Sequence, residues 1–423
     1  MLKSLTLTLI AATALSSAAM AETLFVDNAK IATQTNQGTL ENTDLIIIDG
    51  VVNRIGTDLS APDGATTVSG DNIWVTPGFF APYTNVGLVD ISLEPSTNDI
   101  RSNDAMTSAG EIAADSFNPK AAAIGNTRIE GITRIGAAPA ASHHIIAGTG
   151  LIADTSGNFT SVVNEAAFMF VRLGEGGAGV AGGSRAAALA QFRAALDDAL
   201  AYPGRYGEPD SGDTLSRFDA AAMSAAARGQ MPIMIEVDRA VDILRIAKLK
   251  AEYGRLDIIL VGATEAWMVT DAVKTAGLKL LIDPHETLPR SFERLGARAD
   301  HATVLSEAGI PFSFMTRTAD LSHNVRVLPQ HAGNAVAEGL SWDDAIAAMT
   351  TTPLSWFGLS REGQIQRGNA ANLVIWDGDP LEVTSAPTHI YIDGKPQSLE
   401  SRQTALRDRY NPLNETVDAH KYR

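Results

Sequence analysis

From residue 231 onward, short uninterrupted apolar runs alternate with longer stretches whose apolar residues recur near the helical period. Pro232 to Val237, Leu256 to Val261, Leu278 to Ile282 and Ile310 to Met315 are the apolar runs. Val241 to Tyr253, Glu265 to Ala276, His301 to Ala308, Asn324 to Glu338 and Trp342 to Thr350 are the stretches between and after them. A strand without polar alternation has no solvated face and must be covered on both sides. Parallel βα units, with strands roughly 20 to 30 residues apart and a helix in each gap, meet that requirement. Residues 77 to 358 have the length of one (β/α)8 barrel, about 250 residues. The alternative is a doubly wound open sheet, but no Gly-x-Gly-x-x-Gly leads from a strand into a helix.

Residues 90 to 200 are less regular. Ile132 to Ile135 reads as the second strand, while Ile145-Ile146 and Gly150 to Ile152 read as the short strands of a hairpin. Gly174 to Gly183 is expected to be a flexible loop without the Gly-Lys-Ser/Thr ending of a phosphate site, and Ser184 caps an Ala-rich helix reaching Tyr202. Short β-type runs fill residues 22–75, and the same texture returns at Ala371 to Ile375 and Thr388 to Ile392. The simplest arrangement is a composite β-sandwich, 22–75 plus 360–396, with the barrel, 76–359, inserted between its halves. Residues 397–423 read as a C-terminal helix, Arg402 to Tyr410, and a polar tail.

Residues 1–21 have the layout of a cleaved secretory signal. Lys3 is the lone early charge, Leu5 to Leu15 are mostly apolar, and Ala19-Met20-Ala21 is a small-x-small cleavage site. The apolar run is too short and too rich in Thr and Ser for a spanning helix, and no later run is long enough. A soluble periplasmic protein is therefore expected, without a membrane partner after cleavage. The chain has no cysteine, so any metal would need His, Asp or Glu. A net charge of −16 argues against nucleic acid and anionic membrane surfaces as partners.

Two stretches then carry a resemblance. Val75-Thr76-Pro77-Gly78-Phe79-Phe80 leads into a first strand, and Gly363 to Pro380 follows Gly339 to Ile346 and Met349 to Pro353. They resemble the first barrel strand, last helix and sandwich return of the amidohydrolase superfamily, nearest its imidazolonepropionase-like branch. The resemblance implies hydrolysis of C–N and related bonds by one or two divalent ions held at strand ends, with a carboxylate as proton acceptor. It also gives the positions to inspect. The two first-strand histidines fall on Tyr83 and Asn85. The fifth strand has Glu236 and Asp238 in place of His-x-His. The sixth reads Gly262-Ala263-Thr264-Glu265, with Gly262 in place of a histidine. On the eighth, Arg317 stands where the Thr-Asp carboxylate belongs. A phenol and a neutral amide are poor substitutes for imidazole.

No metal or other cofactor is therefore expected. Glu236, Asp238 and Arg317 are the candidate catalytic residues, with Arg317 pairing one of the acids across the barrel mouth. The other arrangement has Arg317 in solvent and Asp238 capping the helix that begins at Arg239. Tyr83, Asn85, Thr264, Asp283 and His285 are candidates to line the cleft, Asp283-Pro284-His285-Glu286 lying directly after the seventh strand. His143 and His144 read as rim residues, and His301, His323 and His331 as outer-ring residues. Three functions compete: a non-catalytic relative binding a small molecule or partner, a C–N hydrolase with a rebuilt site, and a structural subunit assembling with itself or related barrels.

Overall fold

The computed structural model describes residues 23–102, 108–207 and 213–411. The signal-like segment, His420 and the tail from residue 412 lie outside the described residues. The strands are β1 (Thr23–Ala32), β2 (Thr39–Ile48), β3 (Val51–Gly56), β4 (Thr66–Val68), β5 (Trp74–Pro77), β6 (Phe79–Thr84), β7 (Ile132–Ala137) and β8 (Ile146–Asp154). They continue with β9 (Val162–Arg172), β10 (Ile233–Val237), β11 (Ile258–Gly262), β12 (Lys279–Ile282), β13 (Phe312–Phe314), β14 (Leu373–Trp376), β15 (Pro387–Ile392) and β16 (Lys395–Pro396). Helices α1 (Ala122–Arg128), α2 (Gly174–Val180), α3 (Arg185–Ala201), α4 (Arg217–Ala227), α5 (Ala240–Tyr253) and α6 (Thr270–Thr275) precede α7 (His301–Glu307). The last four are α8 (Leu328–Ala337), α9 (Trp342–Ala347), α10 (Thr351–Trp356) and α11 (Arg402–Tyr410).

Both ends of the chain build one sheet, in the order β16-β15-β14-β5-β1-β2-β3, with β4 on β1. The join is the antiparallel pairing of β5 with β14. This is one continuous hydrogen-bonded sheet, where two stacked sheets were expected. Its strand β1 pairs β4 along its first half and β5 along its second, so a single long strand serves both neighbours. Leu24, Val26, Ile31, Leu45, Val75 and Ile375 meet in its own core.

The second sheet runs β6 to β13 in chain order. Pairing is parallel throughout except around β8, which is antiparallel to both β7 and β9. The expected pair of short strands at 145–152 is therefore one nine-residue strand, long enough to bridge two parallel neighbours. Along β10, β11 and β12, alternate residues enter two different cores, as the two-residue period of a strand requires. Ile233, Ile235, Leu260 and Ile282 pack under the helices. Met234, Ile259, Val261 and Leu281 face the other way and share a cluster with Phe80 of β6 and Met315 just after β13. First and last strands contribute to one cluster, so the sheet curls round it. The seam between them is bridged by the segment before α10: Phe80 N–H donates to the Met349 carbonyl and Phe314 N–H to that of Ala348, at 2.8 and 3.2 Å.

Two further expectations change. Gly174 to Val180 is a helix, α2, rather than a loop. The stretch 265–276 divides into a 3-10 turn, Ala266–Val269, and α6. Ser184 does cap α3, accepting from Ala187 N–H. Helix α11 is tied down by Arg128, which donates to the carbonyls of Ser398 and Glu400 as well as to those of Thr155 and Ser156. Among the described residues, no helix is long and apolar enough to cross a membrane.

Candidate functional site at the strand ends

Parallel strands place their carboxyl ends at one rim, where side chains from distant parts of the sequence meet. Glu236 belongs to β10 and shares its inward face with Met234, and Asp238 follows two residues on. Arg317 lies just after β13. Its guanidinium donates to both acids: Nη1 to Asp238 Oδ1 at 2.7 Å and Nη2 to Glu236 Oε1 at 3.0 Å. A planar fork matches two carboxylates in this way better than an ammonium could.

Two more arginines complete the cluster. Arg294 donates through Nε to Asp238 Oδ2 at 3.0 Å and through Nη1 to Glu286 Oε1 at 2.7 Å. Arg172, at the end of β9, holds Glu236 Oε2 in an ion pair at 3.0 Å. The Thr264 hydroxyl donates to Asp238 Oδ1 at 2.8 Å. Three carboxylates thus face three guanidiniums, and Asp238 at their centre is wholly buried. Burial alone would raise the Asp238 pKa, but the guanidiniums of Arg317 and Arg294 and the Thr264 hydroxyl hold it below the ordinary carboxylate range. For Glu286 burial prevails and its pKa is raised. Arg317, though desolvated, is held firmly protonated by Asp238 and Glu236.

Gly262, at the end of β11, makes the pairing sterically feasible. Its φ is +95°, and a Cβ there would lie 2.2 Å from Arg317 Nη1 and 2.4 Å from Asp238 Oδ1. Any side chain at 262 and the Arg317–Asp238 pair would compete for the same space. Helix α5 begins after Arg239 without a side-chain cap; the Ala240 N–H donates instead to Glu265 Oε2 at 2.9 Å. Asp238 is therefore an ion-pair partner, and the capping alternative falls to Glu265.

The remaining candidates divide. Tyr83 borders the cluster, stacked on Phe170 with ring centroids 5.3 Å apart, and burial with the nearby Glu236 charge pushes its phenol far above the usual value. Asn85 is used elsewhere, donating through its amide to the Ala138 carbonyl. Asp283 forms a neighbouring cluster: Oδ1 contacts His331 Nδ1 at 2.9 Å, and Oδ2 accepts from the Thr318 backbone and hydroxyl at 2.6 and 2.7 Å. Exposed His285 packs against His331 with the rings tilted by 35° and their centroids 4.8 Å apart. His331 was expected on the outer ring and instead faces this rim. His301 is buried, and exposed His143 and His144 sit in bends before β8. Sequence reasoning missed Arg172 and Arg294 as partners, since nothing in their own neighbourhoods marks them.

These residues do not fit the metal centre that the resemblance implies. Its histidine positions hold a neutral phenol, an amide committed to a carbonyl and a glycine. The carboxylates that remain are already neutralised by arginines. Among the described residues, no group of three or more His, Asp or Glu side chains is arranged to hold an ion.

Comparison with known proteins agrees with the family. Residues 240–403 match the amidohydrolase family. An amidohydrolase from Thermotoga maritima MSB8 shares the fold with a TM-score of 0.76 at 22% identity, over 88% of this chain and 99% of that one. A prolidase solved with N-methylphosphonate-L-proline superposes with a TM-score of 0.53 at 14% identity, over 88% of this chain and 99% of the other. Amidohydrolase tasK of Hapsidospora irregularis is 43% identical over 60 residues, which is 14% of this chain and 6% of that protein's length. Residues 240–403 thus carry the amidohydrolase family's pattern, and the positions where the resemblance places metal ligands hold other residues.

Proposed function

We propose that this protein is an exported, periplasmic member of the superfamily that no longer hydrolyses C–N bonds through metal ions and acts as a binding protein. In this reading the curled sheet is the superfamily's (β/α)8 barrel with its third strand reversed, and the strand-end cluster occupies the place of the metal centre. The observation that carries it is the mutual exclusion at Gly262: a ligand side chain there and the Arg317–Asp238 pair need the same volume. The positive charge is supplied instead by the three guanidiniums of Arg172, Arg294 and Arg317, which do not ionise water. Glu236 and Asp238 are then unsuited as general bases, because their oxygens are engaged by arginines and the lowered pKa of Asp238 leaves it little affinity for a proton.

Metal analysis of the purified protein tests this directly. Substoichiometric zinc, manganese and iron are expected; one equivalent of any of them would overturn the reading. A second reading, hydrolysis through a rebuilt site, is favoured by the Asp283–His331 pair, in which a carboxylate orients an imidazole as in acid–base dyads. A panel of C–N substrates distinguishes the two: turnover abolished by His331→Gln would establish the second and sink the first.

A further inference from the structure

A second site lies outside the strand-end cluster, and it does not depend on whether metal chemistry has been lost. A cavity of about 240 Å³ opens where the end of β10 meets the first turns of α3 and α5. Leu173, Leu189, Val237 and Ile246 give it an apolar wall. Arg185, Arg239 and Arg245 line it against a single acid, Asp242, in a chain whose net charge is −16. Arg239 spends its fork on Asp242, with contacts of 3.1 and 3.0 Å. Arg185 reaches Asp242 at 3.3 Å and Glu293 at 3.7 Å, and its buried Nε has no well-directed acceptor. Arg245 makes no hydrogen bond or ion pair among the described residues.

Apolar walls with a few convergent polar groups are the ordinary form of a small-molecule site. Asp242 and Glu293 answer Arg239 and Arg185, so Arg245 is the cationic donor left over, and an anionic ligand completes the set. Guanidiniums discriminate a planar carboxylate from its neutral isostere by charge-assisted, paired hydrogen bonds. The volume corresponds to about eight waters at ~30 Å³ each, which suits a ligand of roughly ten non-hydrogen atoms. The first turns of α3 and α5 add partial positive charge at the same place.

We infer that this cavity binds a small apolar monocarboxylate, the hydrocarbon part against Leu173, Leu189 and Val237 and the carboxylate on Arg245 and Arg185. Calorimetric titration of the whole protein with phenylacetate, and with phenylacetamide as the neutral isostere, tests it. Phenylacetate should bind saturably at one equivalent, at least tenfold more tightly than the amide. Arg245→Gln, a change at an exposed residue, should remove tenfold or more of that affinity. Leu189→Trp, which fills the cavity, should abolish binding, with circular dichroism verifying that both variants fold. Equal affinity for acid and amide, no saturable binding, or binding unchanged by either variant would overturn the assignment.

Discussion

At position 262 the backbone conformation and the space available both require glycine. The positive φ strains any side chain, and a Cβ would sit within 2.4 Å of both members of the Arg317–Asp238 pair. Gly262→Ala should lower stability by about 2 to 4 kcal/mol in chemical denaturation. A variant within about 0.5 kcal/mol of wild type would mean that the Arg317–Asp238 pair does not occupy the space beside Gly262. Arg317→Met leaves Asp238 buried beside Arg294 alone, and breaking such a pair costs about 3 to 5 kcal/mol. Removing the charge as well, in Arg317→Met with Asp238→Asn, should recover a large part of that loss. Additive losses in this double-mutant cycle would argue that the two residues do not act as a pair.

Helices show where local preference yields to packing. Four of the seven residues of α2 are glycine, which by propensity belongs in a loop. The helix forms because it folds back on β9 more closely than side chains permit: a Cβ at Gly177 would lie 2.3 Å from the Arg172 carbonyl oxygen. On a free helix Gly→Ala adds about 1 kcal/mol of stability. At Gly177 the same change should instead cost about 1 to 3 kcal/mol, as overpacking does, and a gain in melting temperature would contradict this contact. Helix α7 carries a pH dependence. His301 is buried with its Nε2 unpartnered, and burial, aided by Arg298 and opposed by Asp238 and Asp300, lowers its pKa from 6.5 to about 4. Between those values the unfolded chain takes up a proton that the folded chain refuses. Stability is therefore kept above pH 6.5 and falls as the pH drops toward 4, by at most roughly 3 kcal/mol. His301→Leu should flatten that part of the stability–pH curve. Asp238 and Asp283, both held below the ordinary carboxylate range, add their losses only at more acid pH, as it falls through their folded values.

For the molecule as a whole, the two sheets are joined by chain continuity at Pro77-Gly78-Phe79 and by buried Arg134 of β7, which pairs with Glu362 and Asp393 at 2.7 Å each. The Asp393 arm is half exposed and contributes little, so the Glu362 arm is the one to test. A metal that bound only the folded state would raise the melting temperature by mass action. Exhaustive chelation should leave the melting temperature unchanged to within about 1 °C; a drop well beyond that would place an ion in the folded state.

The chain by itself determined what depends on local period and on residue identity. Unbroken apolar runs at β10, β11, β12 and β13 announced buried strands, and Pro77-Gly78 marked the passage into the second sheet. Tyr83, Asn85, Gly262 and Arg317 announced that imidazole ligands were absent from the strand ends. Only the tertiary structure decided which charges meet. Arg172, the Glu286–Arg294 connection and His331 come from three separate segments, and no local pattern distinguishes a guanidinium that will face a buried carboxylate from one that will face water. The reversal of β8 and the helix in a glycine-rich stretch were likewise decided by packing and strand pairing, not by local propensity.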